Sequence, residues 1–327
     1  MERRAFLTIA AAVLTASRAR AQQAVRIYRV GYLAGGAPSA DTLKFVDAVR
    51  GRLRESGWVE GRNIAYDLQW ADGDSGRLPR MAAELVRLGV DVIFAPSTDA
   101  AMAAKQATSR IPIVMVYPIN PVGQGLVASY ARPGGNVTGM TTEAGSTIVA
   151  KYFDLLRETI PGLRRVGVFW NTTSPMQRRV LEDMEQPAAT LRLDVRGYGA
   201  RAPEDFAAVF ARMAEERCGA VIILADTLFF QNRAQLAQLA LEHRLPAMSS
   251  VYGFVEAGGL MRYIADLMGL YRSAAGYVDQ ILRGANPSEL PIQQPTKFDL
   301  IVNLKTARAL GLTIPQAILL RADRLLE

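Results

Sequence analysis

The chain has 327 residues, of which 50% are hydrophobic, and this is enough apolar side chain to build two domains with ordinary cores. Its 38 basic residues outnumber the 31 acidic ones, for a net charge of +7. The composition excludes a disordered chain. With one cysteine and one histidine, an intramolecular disulfide and a Cys/His zinc site are also excluded.

The first 21 residues have the pattern of a secretory leader. Met1-Glu-Arg-Arg is a basic start, Ala5 to Ala16 is an apolar run, and Ala19-Arg-Ala21 is a small-x-small cleavage site. Removal of this leader takes away four arginines and one glutamate, which leaves 306 residues and a net charge of +4. We expect export to a periplasm by the Sec route or, because Arg3-Arg4 fits it, the twin-arginine route. No cysteine follows the apolar run to carry a lipid anchor.

Short β-branched runs alternate with amphipathic stretches in a first series that extends to about residue 141. This alternation is typical of βα units around a parallel sheet. The pattern predicts strands at 26–33, 63–70, 90–95, 113–117 and 137–141, helices at 41–55, 78–88 and 99–108, and a short helical turn at 124–130. A turn cluster, Arg132-Pro-Gly-Gly-Asn136, precedes the last strand, and we place the first domain edge there.

A second series of the same kind follows. The pattern predicts strands at 165–170, 191–198, 220–225, 247–250 and 259–264, helices at 146–160 and 266–282, and further helices that begin near Pro175, Pro203 and Phe230. Two such series predict an α/β fold with two Rossmann-like lobes and a tail. Ligands of these sheets bind beyond the carboxyl ends of the strands. No apolar run after the leader is long enough to span a membrane.

Catalytic patterns are poorly represented. His243 is the only histidine, it lies near the end of a predicted helix, and no Gly-x-Ser-x-Gly or phosphate-binding Gly-x-x-x-x-Gly-Lys motif is present. Gly123-Gln-Gly125 is superficially like a dinucleotide fingerprint, but Pro118 and Pro121 interrupt the turn that would have to bind pyrophosphate. We predict no catalytic residue, no metal and no cofactor.

Polar side chains follow strands in both series. Ser97 and Thr98 lie between a strand and the start of a helix, where free amides favour a carboxylate or another anion. The alternative is that they only cap that helix, with Asp99 already complementing its dipole. The two interpretations have equal support. Similar strand ends, each with an aromatic neighbour, carry Asn120 after Tyr117, Asn171 after Trp170, and Asp226 before Phe229.

With the leader and both series in view, the chain resembles the ABC transporter substrate-binding proteins of the type 1 periplasmic-binding fold. The likeness is to the branch that includes tryptophan- and tyrosine-binding members, and it covers nearly all of residues 26–327. It is carried by LRESGWVEGRNI at 53–64, LVASYARPGGNVTG at 126–139, FVEAGGLM at 254–261, LPIQQPTKF at 290–298 and NLKTARALGL at 303–312.

The resemblance implies two lobes joined by three chain crossings that close on a small ligand. Lobe one would comprise 25–141 with 264–291, and lobe two 142–263 with 292–327. Such proteins are monomeric receptors, not enzymes, and deliver their ligand to a membrane permease. The residues that we expect to bind ligand are Ser97, Thr98, Asn120, Asn171, Asp226, Tyr252, Tyr32 and Tyr117, with residues 33–36 at the same mouth.

One departure from the family pattern bears on the ligand. Many relatives resemble Gly-Asp-Pro-Val where this chain has Ile119-Asn120-Pro-Val, and Asn120 cannot pair with a ligand ammonium group. Burying an ammonium without a carboxylate is costly, so an amino-acid ligand depends on Asp226 or another acid. An aromatic or other organic acid is therefore favoured, its ring against side chains such as Tyr252 or Phe229 and its carboxylate at Ser97 and Thr98.

Two other functions stay open. The same fold suits a periplasmic ligand-sensing module that docks on a sensor protein, or an exported enzyme that uses carboxylates between the lobes. Nucleic acid is not expected as a partner, because the chain has no basic run long enough to follow a phosphate backbone.

Overall fold

The computed structural model describes residues 26–142 and 146–327, so the predicted leader at 1–21 lies outside the described residues. The first sheet has five strands in the order β2-β1-β3-β4-β5, and every pair is parallel. The strands are β1 Tyr28–Ala34, β2 Ile64–Trp70, β3 Val92–Ala95, β4 Ile113–Met115 and β5 Val137–Gly139. All of β3 is buried, as expected for a parallel strand covered on both faces.

The second sheet has seven strands in the order β12-β11-β10-β9-β8-β6-β7. They are β6 Arg165–Asn171, β7 Asp194–Ala200, β8 Ala220–Ile223, β9 Ala247–Ser249, β10 Met261–Ala265, β11 Phe298–Asn303 and β12 Arg324–Leu326. Only β10 and β11 pair antiparallel within the described chain. The prediction of an α/β fold with two parallel-sheet lobes is confirmed, with β11 as a local departure.

Helices separate most of the strands. They are α1 Ala40–Glu55, α2 Leu78–Arg87, α3 Thr98–Ala107, α4 Ser146–Thr159, α5 Pro175–Asp183, α6 Glu185–Thr190, α7 Phe206–Glu215, α8 Thr227–Gln231, α9 Arg233–Glu242, α10 Leu267–Leu282, α11 Leu304–Ala309 and α12 Gln316–Arg321. Short 3₁₀ helices occupy Ser75–Arg77, Pro203–Asp205 and Pro287–Glu289. Among the described helices, none has both the length and the apolar character needed to cross a bilayer.

Each sheet has a buried cluster on both faces. In the first sheet, α1 and α10 cover one face and α2 and α3 the other. Helix α10 follows β10 of the second sheet, yet its buried residues Tyr271 and Val278 share a cluster with Val30 and Phe94 of the first. The chain therefore returns to the first sheet for one helix before β11 joins the second.

The segments that connect the two sheets are hydrogen-bonded to one another. Thr141 N donates to Gln293 O at 3.0 Å and Gln293 N donates to Gly139 O at 3.1 Å, while Asp266 N donates to Lys297 O at 3.0 Å. The hydrogen bonds thus tie the connecting segments to one another. We retain the lobe boundaries, 25–141 with 264–291 and 142–263 with 292–327, as a proposal.

Residues 124–130 correct one prediction. The expected short helix is absent, and residues 121–129 form turns and bends instead. Leu126 N donates to Pro121 O at 2.8 Å, and Gly125 has a φ of +68°, which helical backbone does not tolerate. The side-chain amine of Lys105 donates to the carbonyl oxygen of Leu126 at 3.0 Å, so the preceding helix α3 satisfies a backbone group of these turns.

Candidate ligand site between the two sheets

Loops at the carboxyl ends of the two sheets face and contact each other. Arg233 Nη2 of α9 lies 2.6 Å from Asp41 Oδ2 of α1, in a half-buried salt bridge. The ring of Tyr252, which follows β9, meets the ring of Phe45 in α1 edge-on at 4.9 Å. Both contacts join an element packed on the first sheet to one packed on the second. These contacts mark where the two lobes meet, and we call the region between the facing loops the cleft.

Asp226 is the best-supported polar group of the second lobe. It caps α8, because its Oδ1 accepts from Leu228 N at 2.8 Å, and the same atom accepts from Asn171 Nδ2 at 3.1 Å. Asn171 is buried and is itself held by Thr173, whose backbone N donates to Asn171 Oδ1 at 3.0 Å. The end of β6 therefore orients the carboxylate at the end of β8, and two of the predicted site residues lie together.

A second carboxylate approaches from the first lobe. Burial raises the pKa of Asp226, two hydrogen bonds lower it, and the negative charge of Asp99 raises it further. Asp99 remains open to solvent, yet the protein crowded around it raises its own pKa by desolvation. Neither carboxylate forms a salt bridge with a described residue. The cleft thus contains two unpaired acids, one from each lobe, which is an arrangement suited to a cationic ligand group.

Three tyrosines lie under the first-lobe side of the cleft. Tyr271 of α10 shares hydrogen bonds with Tyr32 and Tyr117, and burial raises the pKa of all three, that of Tyr117 to about 12. Tyr32 is only 4% exposed and stacks on Phe94 at 5.6 Å. Tyr32 is therefore a core residue in this structure, and Tyr117 is half-buried beside it. Their direct contact with a ligand stays a prediction.

The other predicted residues of lobe one have local structural roles. Ser97 caps α3, since its Oγ accepts from Ala100 N at 3.3 Å, and Thr98 is the first residue of that helix. Asn120 has a left-handed φ of +49°, which asparagine tolerates better than most residues, and its Oδ1 accepts from Gly123 N at 2.8 Å. The capping interpretation of Ser97 is seen in the structure. Ligand binding by these three residues is untested by it.

Other candidates lie away from this cleft. Phe229 is fully buried and stacks on Phe169 at 4.7 Å, so it is a core residue of lobe two. His243 is the C-cap of α9. Within the described residues, no group of three or more histidine, cysteine or acidic side chains is placed to hold a metal ion.

Sequence reasoning missed the groups that join the lobes. Asp41 and Phe45 look like ordinary positions of an amphipathic helix, and only the fold brings them against Arg233 and Tyr252. Arg262 did carry a signal, because it is a charge inside the apolar strand β10, and such a residue requires a buried partner or a function.

Comparison with known proteins identifies the family. Residues 38–326 match the family model for ABC transporter substrate binding proteins, which is most of the chain. The chain belongs to this family. It is 27% identical over 277 residues to the tyrosine-binding protein of Clostridioides difficile strain R20291, an alignment that covers 84% of this chain and 78% of that protein.

Solved structures agree on the fold of this ABC transporter substrate-binding protein. An ABC domain in complex with L-Trp from Streptococcus pneumonia has a TM-score of 0.84 at 22% identity, covering 91% of this chain and 99% of that one. A conserved domain protein from Vibrio cholerae has the same TM-score at 26% identity, with the same coverage. The fold is that of type 1 periplasmic binding proteins, and the family and its structural neighbours are ligand-binding proteins rather than enzymes.

Proposed function

We propose that this protein is the periplasmic solute-binding component of an ABC importer and that its ligand is an amino acid, most favourably an aromatic one. It binds as a monomer and delivers the ligand to a permease in the inner membrane, after export by the Sec or twin-arginine route. The observation that carries the choice of ligand is the pair of unpaired carboxylates, Asp99 and Asp226, at the facing ends of the two lobes.

The acid pair reverses the preference for a simple organic acid. That preference rested on Asn120, which leaves no charge near the end of β4 for a ligand ammonium group. Asp226 supplies the charge from the other lobe instead, and Asp99 adds to it. An ammonium group between them would offset their mutual repulsion, whereas a second carboxylate would increase it. The names of two relatives, one tyrosine-binding and one in complex with L-Trp, support the same choice.

Closure follows from the placement of these acids on opposite lobes. A ligand shifts the population towards the closed form only if it binds that form better, and contact with both lobes gives such a difference. The ammonium group touches Asp226 in either state but reaches Asp99 only when the lobes are together. The aromatic ring would lie against Tyr252, whose edge already contacts Phe45.

A thermal-shift screen tests the proposal. The mature protein is heated with amino acids, aromatic acids, purines and small carboxylates, and a ligand at 100 times its dissociation constant should stabilise the fold by about 2.7 kcal/mol. We expect aromatic amino acids to give the largest shifts and to be recovered unchanged. Stabilisation by purines or small carboxylates alone would contradict the ligand class, and turnover of the bound solute would contradict a receptor. Loss of uptake on deletion of the cognate permease separates transport from sensing.

A further inference from the structure

Arg262 lies near the start of β10, level with the carboxyl ends of β8 and β9, where the candidate site is. It belongs to β10 and pairs with Ser249, the last residue of β9. Asp226 follows β8, the next strand over. The strands of a sheet are about 4.8 Å apart, so the backbones that carry Arg262 and Asp226 are separated by about 10 Å along this edge.

Two of the three nitrogens of the Arg262 guanidinium have no hydrogen-bond partner. The residue is only 4% exposed, and its Nε and Nη1 atoms are buried without a hydrogen bond. Asp299 on the neighbouring strand is close enough to act on Arg262 through its charge. Its Oδ1 is buried without a hydrogen bond and lies 3.2 Å from Lys297 Nζ, and no salt bridge joins it to Arg262. Ser249 is also engaged, since its Oγ donates to Ile223 O and accepts from Val251 N.

A buried, unpaired guanidinium is unfavourable, and its N–H groups lose the water that solvates them in the unfolded chain. Burial accordingly lowers the pKa of Arg262. Its main described contact is with the ring of Tyr252, whose centroid lies 4.8 Å from the guanidinium carbon. Tyr252 in turn meets Phe45 of the other lobe, so the cation lies directly behind an aromatic contact that bridges the cleft.

We infer that Arg262 is the anchor for the carboxylate of the ligand. A planar guanidinium with free N–H groups matches a carboxylate in two parallel hydrogen bonds. This inference rests on the proposed function and completes it. The ligand ammonium lies towards Asp226 and Asp99, and its carboxylate lies towards Arg262.

The assignment moves the anion site from one lobe to the other. Ser97 and Thr98 at the start of α3 were the predicted carboxylate site, but Ser97 Oγ is already bound to Ala100 N, and Asp99 adds a negative charge to the same helical turn. A carboxylate would be repelled there. At Arg262 the same group would meet an unpaired positive charge.

The test compares two ligands and three variants. L-tyrosine and L-tyrosinamide differ only in whether the carboxylate is present or replaced by a neutral amide, and calorimetry measures the affinity of each. Wild-type protein should bind the acid more tightly than the amide. Arg262→Met should lower the affinity for L-tyrosine about 10- to 100-fold and change the affinity for L-tyrosinamide little, so that the ratio of the two affinities falls towards one. Arg262→Lys should retain part of the preference for L-tyrosine over L-tyrosinamide. The control is Arg212→Met, which removes an arginine over the Tyr198 ring, away from the cleft, and should leave the ratio unchanged.

Stability separates this role from a structural one. Replacing an unpaired buried charge with methionine should leave the melting temperature of the unliganded protein equal or higher, whereas loss of a structural arginine would lower it. If the variants do not fold, ¹⁵N-arginine spectra of the wild type serve instead. When L-tyrosine is bound, one buried Nε–H should become protected from hydrogen exchange with solvent, and L-tyrosinamide should not give this protection. Equal protection by both ligands would overturn the inference.

The failures are distinguishable. If neither L-tyrosine nor L-tryptophan binds the wild type, the proposed ligand class is wrong, and the inference falls with it. If L-tyrosine binds and Arg262→Met keeps the full preference for the acid over the amide, only the role of Arg262 is wrong.

Discussion

Asp226 serves two purposes at once, and each explains a different property of the residue. As a cap it accepts from Leu228 N, which any asparagine could do equally well. As a charge it is oriented by Asn171 and lies within reach of the field of Asp99. The capping role alone would not require a carboxylate with a raised pKa. The negative charge, which has no salt-bridge partner, is the group with which a ligand ammonium would pair.

Asp226→Asn therefore separates the two roles. We expect the variant to keep the helix cap and to fold normally, and to lose about 10- to 100-fold in affinity for L-tyrosine because a charged hydrogen bond becomes a neutral one. Isothermal calorimetry measures the loss. Asp205→Asn is the matched control, since Asp205 accepts from the backbone of Arg201 and Ala202 on the same lobe. Equal losses in the two variants would argue against a ligand contact.

The same carboxylates predict a pH dependence. Their pKa values are raised in the unliganded fold, so their contribution to stability is present at low pH and is lost as pH rises through the raised values. An ammonium ligand favours the ionised forms, so affinity should fall as pH is lowered from about 7 to about 4, with proton release on binding. Calorimetry in buffers of different ionisation enthalpy measures the protons. A flat profile, or affinity that rises in acid, would contradict the site.

At this scale the sequence predicted part of the site. Asp226 and Asn171 were found because they follow strands, and the rule that parallel sheets bind ligands beyond their carboxyl ends is independent of side-chain detail. Tyr32 was chosen as an aromatic side chain for a ligand ring to pack against. The structure buries it in the core, and its contact with a ligand stays a prediction. Arg262 was missed because the absence of a partner becomes visible only when the surrounding atoms are placed.

Among the elements, β5 shows why one glycine at the junction of the lobes is needed. Gly139 has a φ of +125°, and a Cβ there would overlap the carbonyl of Met115 in β4. Its own carbonyl accepts from Gln293 N, so the same residue ends the first sheet and joins a crossing segment. A side chain would therefore disturb both the sheet and the connection.

Gly139→Ala should lower the free energy of unfolding by about 1 to 3 kcal/mol, because it forces a strained backbone and a clash with backbone atoms. Gly51→Ala is its control, since Gly51 lies in the helix α1 with open space around it, and alanine should raise stability by about 0.5 to 1 kcal/mol. Urea unfolding measures both. If the two variants shift stability in the same direction, the constraint assigned to Gly139 is wrong.

The order of the elements was largely predictable, because each βα unit carries its own periodicity and its own turn residues. The prediction was wrong at 124–130, where Pro121 and Gly125 favour turns over a helix despite apolar spacing. The tail was left without elements. It contains β11, α11, α12 and β12. Strand β11 pairs antiparallel with β10, β12 then pairs with β11, and an antiparallel partner such as β11 has no local signal.

For the whole molecule, the contacts that join the lobes bear on how readily it opens. The salt bridge between Arg233 and Asp41 joins the lobes through half-buried side chains, and the edge contact of Tyr252 with Phe45 adds an apolar component. A partly exposed ion pair contributes about 1 kcal/mol at most. A change of that size moves a two-state equilibrium several-fold without unfolding either lobe.

Arg233→Met should therefore increase the open population of the unliganded protein and weaken ligand binding a few-fold. Small-angle scattering should show a larger radius of gyration without ligand and the wild-type value with saturating ligand. Arg272→Met is the control, because Arg272 pairs with Glu55 between two helices that cover the same sheet, and its loss should not change the radius. An unchanged radius in Arg233→Met would show that this pair does not hold the lobes together.

The central claim is that the cleft selects an ammonium group, and one calorimetric comparison tests it most directly. Wild-type protein is titrated with L-tyrosine and with 3-(4-hydroxyphenyl)propionate, which has the same ring and carboxylate but lacks the amine. We predict one-to-one binding of L-tyrosine and at least about tenfold weaker binding of the deaminated acid, because only the amino acid pairs with Asp99 and Asp226. Equal or tighter binding of the deaminated acid would contradict the account.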